Sequence, residues 1–355
     1  MSKKIQIGDR FIGEGCPLYF IADVGANHDG NIDRAFKLIE LAKESGADAA
    51  KFQNFQASKI ISKQGFESLK GQLSHQASWG KSVFEVYEDA SVSFDWTQKL
   101  KEKCVEIGID YFTSPYDFES VDNVDAYVDL YKIGSGDITW LEMIAYIASK
   151  NKPVLLATGA STMQDVVRAM NILESYTSDI VLMQCNTNYT LDADKYKYVN
   201  LNVFNSYEQR FPNTILGLSD HTIGHATVVG AVALGARVIE KHFTDDNSRS
   251  GPDHKFAMNP TSWREMVENS NIVYHAMGDG IKRVEANEHQ SIIVQQRSLR
   301  TTKPLMVGDI LSSSDIIALR PIPENGIQPY LIHKLIGKKV LKPLKEGEHL
   351  TWEHI

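Results

Sequence analysis

The chain has 355 residues, 43% of them hydrophobic and 23% charged, with a formal net charge of −8. That length suits one large domain plus a small one, the composition excludes an intrinsically disordered chain, and the acidic balance argues against general nucleic-acid binding, which needs clustered Lys and Arg to displace counterions. Cys16, Cys104 and Cys185 form neither a disulfide framework nor a CxxC metal pattern, and no hydrophobic leader or membrane span is read, so a reduced, cytoplasmic protein is expected.

From Pro17 to Gly280, short apolar runs alternate with helical periodicity. Leu18–Gly25 reads as a buried strand, and Ile32, Ala35, Phe36, Ile39 and Ala42 then recur at helical spacing. The next strand, Ala47–Gln53, precedes a long polar insertion and a helix over Phe94–Ile107. Further strands are expected at Ile109–Thr113, Val128–Ile133, Pro153–Thr158, Ile180–Cys185, Thr214–Ser219 and Arg237–Phe243. Helices between them include Leu141–Ser149, Asp165–Leu173, with Ser161 or Thr162 as its cap, and Ala226–Leu234. Gly46, Gly108 and Gly235 each stand where a helix ends just before a strand, the place for a left-handed cap. Eight βα units predict a closed (β/α)8 TIM barrel. An open doubly wound sheet is the alternative, but Gly25-Ala26-Asn27-His28-Asp29-Gly30 is not its GxGxxG phosphate turn. The expected division is a barrel over 1–280, a linker over 281–296 and a small, turn-rich β module over 297–355.

Polar residues collect at the C-terminal ends of the expected strands, the rim where such barrels keep their ligands. His221 and His242 end adjacent strands, which points to a bound metal, with backbone hydrogen bonding as the plain alternative. Lys51 and Lys132, joined by Ser114, Ser135 and Ser219, suit a phosphate and carboxylate pocket. Asp23 and Asp137 read as general acids, acceptors of sugar hydroxyls, or simple helix caps. Tyr189 either closes the pocket or packs on the rim, and Gly251-Pro252-Asp253-His254 is either a loop over the site or a surface turn.

The ordered motifs Asn27-His28-x-Gly30, Lys51-Phe52-Gln53, Ser114-Pro115, Lys132-Ile133-Gly134-Ser135-Gly136, Gly217-Leu218-Ser219-Asp220-His221-Thr222, Glu240-Lys241-His242-Phe243 and Gly251-Pro252-Asp253 resemble those of the sialic acid synthase family. Arg297-Ser298-Leu299, Val307-Gly308-Asp309, Leu319-Arg320-Pro321 and Gly337-Lys338 resemble that family's C-terminal antifreeze-like (SAF) domain. The resemblance covers nearly the whole chain. It implies condensation of phosphoenolpyruvate with the open-chain aldehyde of an N-acylated hexosamine, giving a nine-carbon 2-keto-3-deoxy acid and phosphate. It implies Mn²⁺ or Mg²⁺ on His221 and His242, with Glu240 orienting a water on the ion. By the same resemblance, Lys51, Ser114, Lys132, Ser135, Ser219 and Thr187 (or Asn186) bind phosphoenolpyruvate. Gln53, Tyr189, Asp253, Asp23 and Asp137 face the sugar, and Arg320 reaches it from the other subunit of a domain-swapped homodimer.

The chain departs from the family in carrying Asp23 and Asp137 where Glu is usual, Ala157 where a serine is common, and Cys185-Asn186-Thr187-Asn188-Tyr189-Thr190 in place of the usual Cys-Thr-x-x-Tyr-Pro run. Each Asp withdraws its carboxylate by one methylene, about 1.5 Å. These changes predict a preferred sugar other than N-acetylmannosamine, such as a diacetamido-trideoxyhexose. Two other readings compete: a 3-deoxy-heptulosonate or octulosonate type of synthase, which needs a second basic phosphate pocket, and a silent carbohydrate- or ice-binding protein. The second is opposed by both histidines and both lysines being kept.

Overall fold

The computed structural model describes residues 3–69, 76–77 and 79–355. They fall into two compact units, Met1–Gly278 and Asp279–Ile355. The first opens with an antiparallel hairpin, β1 (Lys4–Ile7) and β2 (Arg10–Gly13), which the sequence reading did not anticipate because each strand has only four residues. Its buried Ile5, Ile7 and Ile12 join the main core, and Gly13 lies against Ile215, where a Cβ would meet the isoleucine Cδ1 at 2.7 Å. The hairpin therefore covers the N-terminal end of the barrel and leaves the opposite rim for ligands.

The eight expected strands all form. They are β3 (Tyr19–Asp23), β4 (Ala49–Asn54), β5 (Asp110–Pro115), β6 (Tyr131–Ile133), β7 (Val154–Ala157), β8 (Ile180–Cys185), β9 (Ile215–Asp220) and β10 (Val238–His242). All pairings are parallel, and β10 closes on β3 to give a closed barrel. Strands buried on both faces need continuous apolar runs, and Ile180–Cys185 is buried at every position. The helix Phe94–Ile107 has its expected bounds and ends on Gly108 at φ +74. The helix Met163–Glu174 begins on Thr162, whose side chain and that of Asp165 cap each other. The stretch taken as a polar insertion carries three helices among its described residues, Ala57–Ile60, Lys63–Ser68 and Val83–Ala90. Their few buried residues left no periodicity to read.

In the second unit, β11 (Ser298–Thr301) pairs antiparallel with β12 (Ile316–Leu319). Leu299, Leu305, Leu311, Leu335, Val340 and Leu350 anchor its small core. Val307-Gly308-Asp309 and Glu346-Gly347-Glu348 form turns, with Gly308 at φ +99 and Gly347 at φ +76. A helix, His289–Gln295, occupies part of the stretch expected to be connecting chain.

Candidate active site

Two rows of side chains build the rim. Across β10, β3 and β4 the register aligns His242 with Asp23 and Asp23 with Lys51. Across β8, β9 and β10 it aligns Cys185 with Ser219 and Ser219 with Glu240. Residues in register on neighbouring strands share a face, so each row converges on the barrel interior.

His221 and His242 come together, their ring centroids 5.4 Å apart. The His221 Nδ1 lies 3.0 Å from the carbonyl oxygen of Asn186 and donates to it, which leaves the lone pair on Nε2. Burial, followed by the neighbouring imidazole, pushes the His221 pKa down to about 3, so the ring is neutral and able to ligate at physiological pH. His242 lies between two carboxylates, its Nε2 3.7 Å from Asp23 and its Nδ1 3.6 Å from Asp253. Neither is a hydrogen bond, and among the described residues the buried Nδ1 has no partner. Tyr189 packs on this pair, 4.3 Å from the His221 ring and 6.3 Å from that of His242. Phe256, which the sequence reading missed, joins the cluster at 5.1 Å from the His242 ring and 5.3 Å from that of Tyr189. Gly25, at φ +51, admits the close approach: a Cβ there would lie 2.9 Å from the Asp253 carboxylate and 3.0 Å from His242 Nδ1.

Both pocket lysines are buried and paired. Lys51 Nζ is 2.8 Å from Asp23 Oδ2, and Lys132 Nζ is 3.0 Å from Glu240 Oε1. Burial opposes the charge on Asp23, but Lys51, His242 and Lys132 outweigh it and hold the carboxylate below its ordinary range. Asp23 also accepts from the Gly25 N–H at 3.0 Å and from the Gln53 amide at 3.1 Å. Its oxygens are thus committed to the protein, and it caps a turn rather than a helix. Ser219 donates to the same Glu240 oxygen as Lys132, at 3.0 Å, leaving Oε2 buried without a partner among the described residues. The Ser114 hydroxyl is likewise buried and unpartnered there. Ser135 accepts from the Gly159 N–H at 2.9 Å, and Thr187 lies so close that a Cβ on Gly159 would meet it at 2.5 Å.

Asp137, in the turn after β6, is raised to about 6 by burial. Tyr87, raised to about 12 by burial and then by the charges of Asp253 and Asp137, and Tyr116 both pack on Phe55, at 5.4 Å and 5.8 Å. Tyr87 escaped the sequence reading because it belongs to the helix Val83–Ala90 in the unread insertion, and Tyr116 because it lies in the loop just after β5. A cavity of about 1400 Å³ opens above, lined by Tyr189, Phe256, Val86, Arg249 and Lys255 among others. Asp253 accepts from the N–H of Ala26, one of the lining residues, at 3.2 Å. Asn27 and His28, from the Asn-His-x-Gly motif, turn away from it. Asn27 donates to the Phe243 carbonyl at 2.9 Å, and His28, lowered to about 4 by burial, packs edge-on against Trp96 at 5.4 Å. Arg320 follows β12 in the second unit and is exposed.

Among the described residues no group of three or more His, Cys, Asp or Glu forms a ready-made metal shell. No helix there is long and apolar enough to cross a membrane.

The sequence matches the NeuB family over residues 38–282 and the SAF domain over 296–355. It is 35% identical to the N,N'-diacetyllegionaminic acid synthase of Campylobacter jejuni, the match covering 92% of this chain and 97% of that one. It is 31% identical to the human N-acetylneuraminate-9-phosphate synthase, over 97% and 94% of the two chains. The crystal structure of the N-acetylneuraminic acid synthetase of Leptospira borgpetersenii, in complex with citrate, superimposes with a TM-score of 0.73 at 25% identity, covering 82% of this chain and 96% of that one. With a family match spanning most of the barrel unit and relatives aligned along almost its full length, the chain belongs to the NeuB family and carries a C-terminal SAF domain.

Proposed function

We propose that the chain is a metal-dependent nonulosonic acid synthase, joining phosphoenolpyruvate to the open-chain aldehyde of an N-acylated hexosamine. The observation that carries this reading is the charge arrangement at the rim. Lys51 and Lys132 are each matched by a buried carboxylate, Asp23 and Glu240, and Asp253 adds a further negative charge beside His242. A pocket so neutralised attracts a polyanion poorly unless another cation is present. The neutral His221 with its free Nε2 and the orphaned nitrogen of His242 supply a donor set for one, with Mn²⁺ or Mg²⁺ as the expected ions. Bound there, the ion would supply Lewis acidity toward the sugar's aldehyde oxygen.

The protein groups account for the remaining steps. The Lys51 and Lys132 ammonium groups and the Ser114, Ser135 and Thr187 hydroxyls hold the phosphate and carboxylate. C3 of phosphoenolpyruvate forms the new bond to the aldehyde carbon, leaving C2 electron-poor. Water adds at C2 and gives its proton to the free Oε2 of Glu240, an oxygen kept available because Lys132 and Ser219 share the other one. The C2–O bond to phosphate then breaks as the new C2 hydroxyl gives its proton to the departing phosphate, leaving the ketone, and the proton taken up by Glu240 passes to the former aldehyde oxygen, which becomes a hydroxyl. Asp23 acts through Lys51, Gln53 and His242 rather than on substrate, which revises the direct role expected for it. Asp137, Gln53 and Tyr189, with Tyr87 and Tyr116, face the hexosamine, and Arg320 completes the site from a second copy in a homodimer. The short Asp137, with the phenols of Tyr87 and Tyr116 nearby, supports a diacetamido-trideoxyhexose over N-acetylmannosamine.

Phosphate release from phosphoenolpyruvate with a panel of N-acylated hexosamines tests the reading. Turnover should fall by at least ~10³-fold on chelation and in His221→Ala and His242→Ala, since Lewis-acid assistance contributes several kcal/mol. Near-normal rates in all three would refute the metal role. N-acetylmannosamine giving the highest kcat/KM would refute the sugar preference.

A further inference from the structure

The peptide that carries His221 is held from outside the barrel by three side chains on consecutive carbonyls. Lys195 Nζ donates to the His221 oxygen at 2.9 Å, Lys241 Nζ to the Thr222 oxygen at 2.6 Å, and the Tyr196 hydroxyl to the Ile223 oxygen at 3.0 Å. Each comes from a part of the chain that shapes the site. Lys241 immediately precedes His242 on β10. Lys195 also donates to the Thr190 carbonyl at 2.7 Å, next to Tyr189, which packs on both imidazoles.

Strand alternation explains the arrangement. His242 and Glu240 point into the barrel, so Lys241 points out, where the register sets it beside Asp220 of β9 at 2.5 Å. Asp220 in turn accepts from the Thr222 N–H at 3.1 Å and from the Thr222 and Thr227 hydroxyls at 2.8 Å each. Lys195 is 4% exposed and, among the described residues, has no carboxylate within ion-pair distance. An ammonium buried against two carbonyls is a costly way to fill space. What it accomplishes is to lock the backbone at both ends of the aromatic and imidazole cluster.

We propose that Lys195 and Lys241 are positioning residues that fix the separation of His221 and His242 and thereby set the affinity of the pair for a divalent cation. This rests on the metal reading given above, and the test keeps the two apart. Mn²⁺ binding to the full-length protein is measured by the electron paramagnetic resonance signal of free Mn²⁺ for wild type, Lys195→Met, Lys241→Met, the double variant Asp220→Asn/Lys241→Met and His221→Ala. The double variant guards against a misfolded Lys241→Met, because it removes the charge that would be left unpaired. Indirect support of a metal ligand is typically worth about 10–100-fold in affinity, and that weakening is expected for Lys195→Met and the double variant, at unchanged far-ultraviolet circular dichroism. KM for phosphoenolpyruvate at saturating Mn²⁺ should stay within about twofold, a split that general loosening of the barrel does not produce. Folded variants that bind Mn²⁺ within about twofold of wild type would overturn the positioning role while leaving the metal reading intact. Wild type and His221→Ala binding Mn²⁺ equally would instead overturn the metal reading, and this proposal with it.

Discussion

The barrel strands carry buried lysine–carboxylate pairs on both faces, with β10 contributing to each kind, and the two kinds have different consequences. Lys51–Asp23 and Lys132–Glu240 face the barrel interior beneath the open rim, where an incoming anion can compete for the ammonium groups. Lys241–Asp220, with nearly identical burial, faces the surrounding helices, and each of its members also bonds to the backbone of Thr222, next to His221. On the function proposed above, an interior pair is a reservoir of charge that substrate can redirect. An exterior pair is a fixture. One residue of strand register separates the two roles.

The largest expected effect tests the interior side. Glu240→Gln keeps an acceptor for Lys132 and Ser219 but removes the proton acceptor, so kcat should fall about 10²–10⁴-fold in steady-state phosphate release while the fold persists. An unchanged kcat would place the proton elsewhere. Next, Lys51→Met should lower kcat/KM for phosphoenolpyruvate about 10²-fold, consistent with the ~1.5–3 kcal/mol of a hydrogen bond to a charged group, and should destabilise the protein by about 3–5 kcal/mol by stranding Asp23. Adding Asp23→Asn should restore the stability in a denaturant titration but not the affinity. Recovery of both would mean that the interior pair is only structural. The smallest effect is at Asp137, whose folded pKa of about 6 lies above its ordinary value because of burial. A carboxyl raised in this way contributes its full stability below the unfolded value and loses it as pH rises through the folded one. Asp137→Asn should therefore match wild type near pH 4 and melt higher than wild type above pH 6. Equal melting temperatures at pH 8 would show that the charge is relieved by a neighbour.

Much of the site was legible from residue type and place. His221, His242, Lys51, Lys132, Ser114, Ser219 and Glu240 are polar where buried strands are otherwise apolar, and all converge on one rim. Asp23 was legible as a candidate site residue, but its partners were not, because only the register with His242 and Lys51 reveals what its oxygens accept. Tyr87, Tyr116, Phe256 and Lys195 were invisible, since they come from loops and an insertion that no periodicity orders.

The sequence by itself determined the eight strands, several of the helices between them and the family to which the chain belongs, because alternation of apolar runs, helical spacing and cap residues are local properties that survive without coordinates. Only the tertiary structure decided which lysine meets which carboxylate, which carboxylate is left with a free oxygen and which ammonium groups grip the backbone around His221. Those outcomes depend on closing β10 against β3 and on the stagger between neighbouring strands, and contacts as far apart in sequence as Lys132 and Glu240 exist only once the barrel has closed.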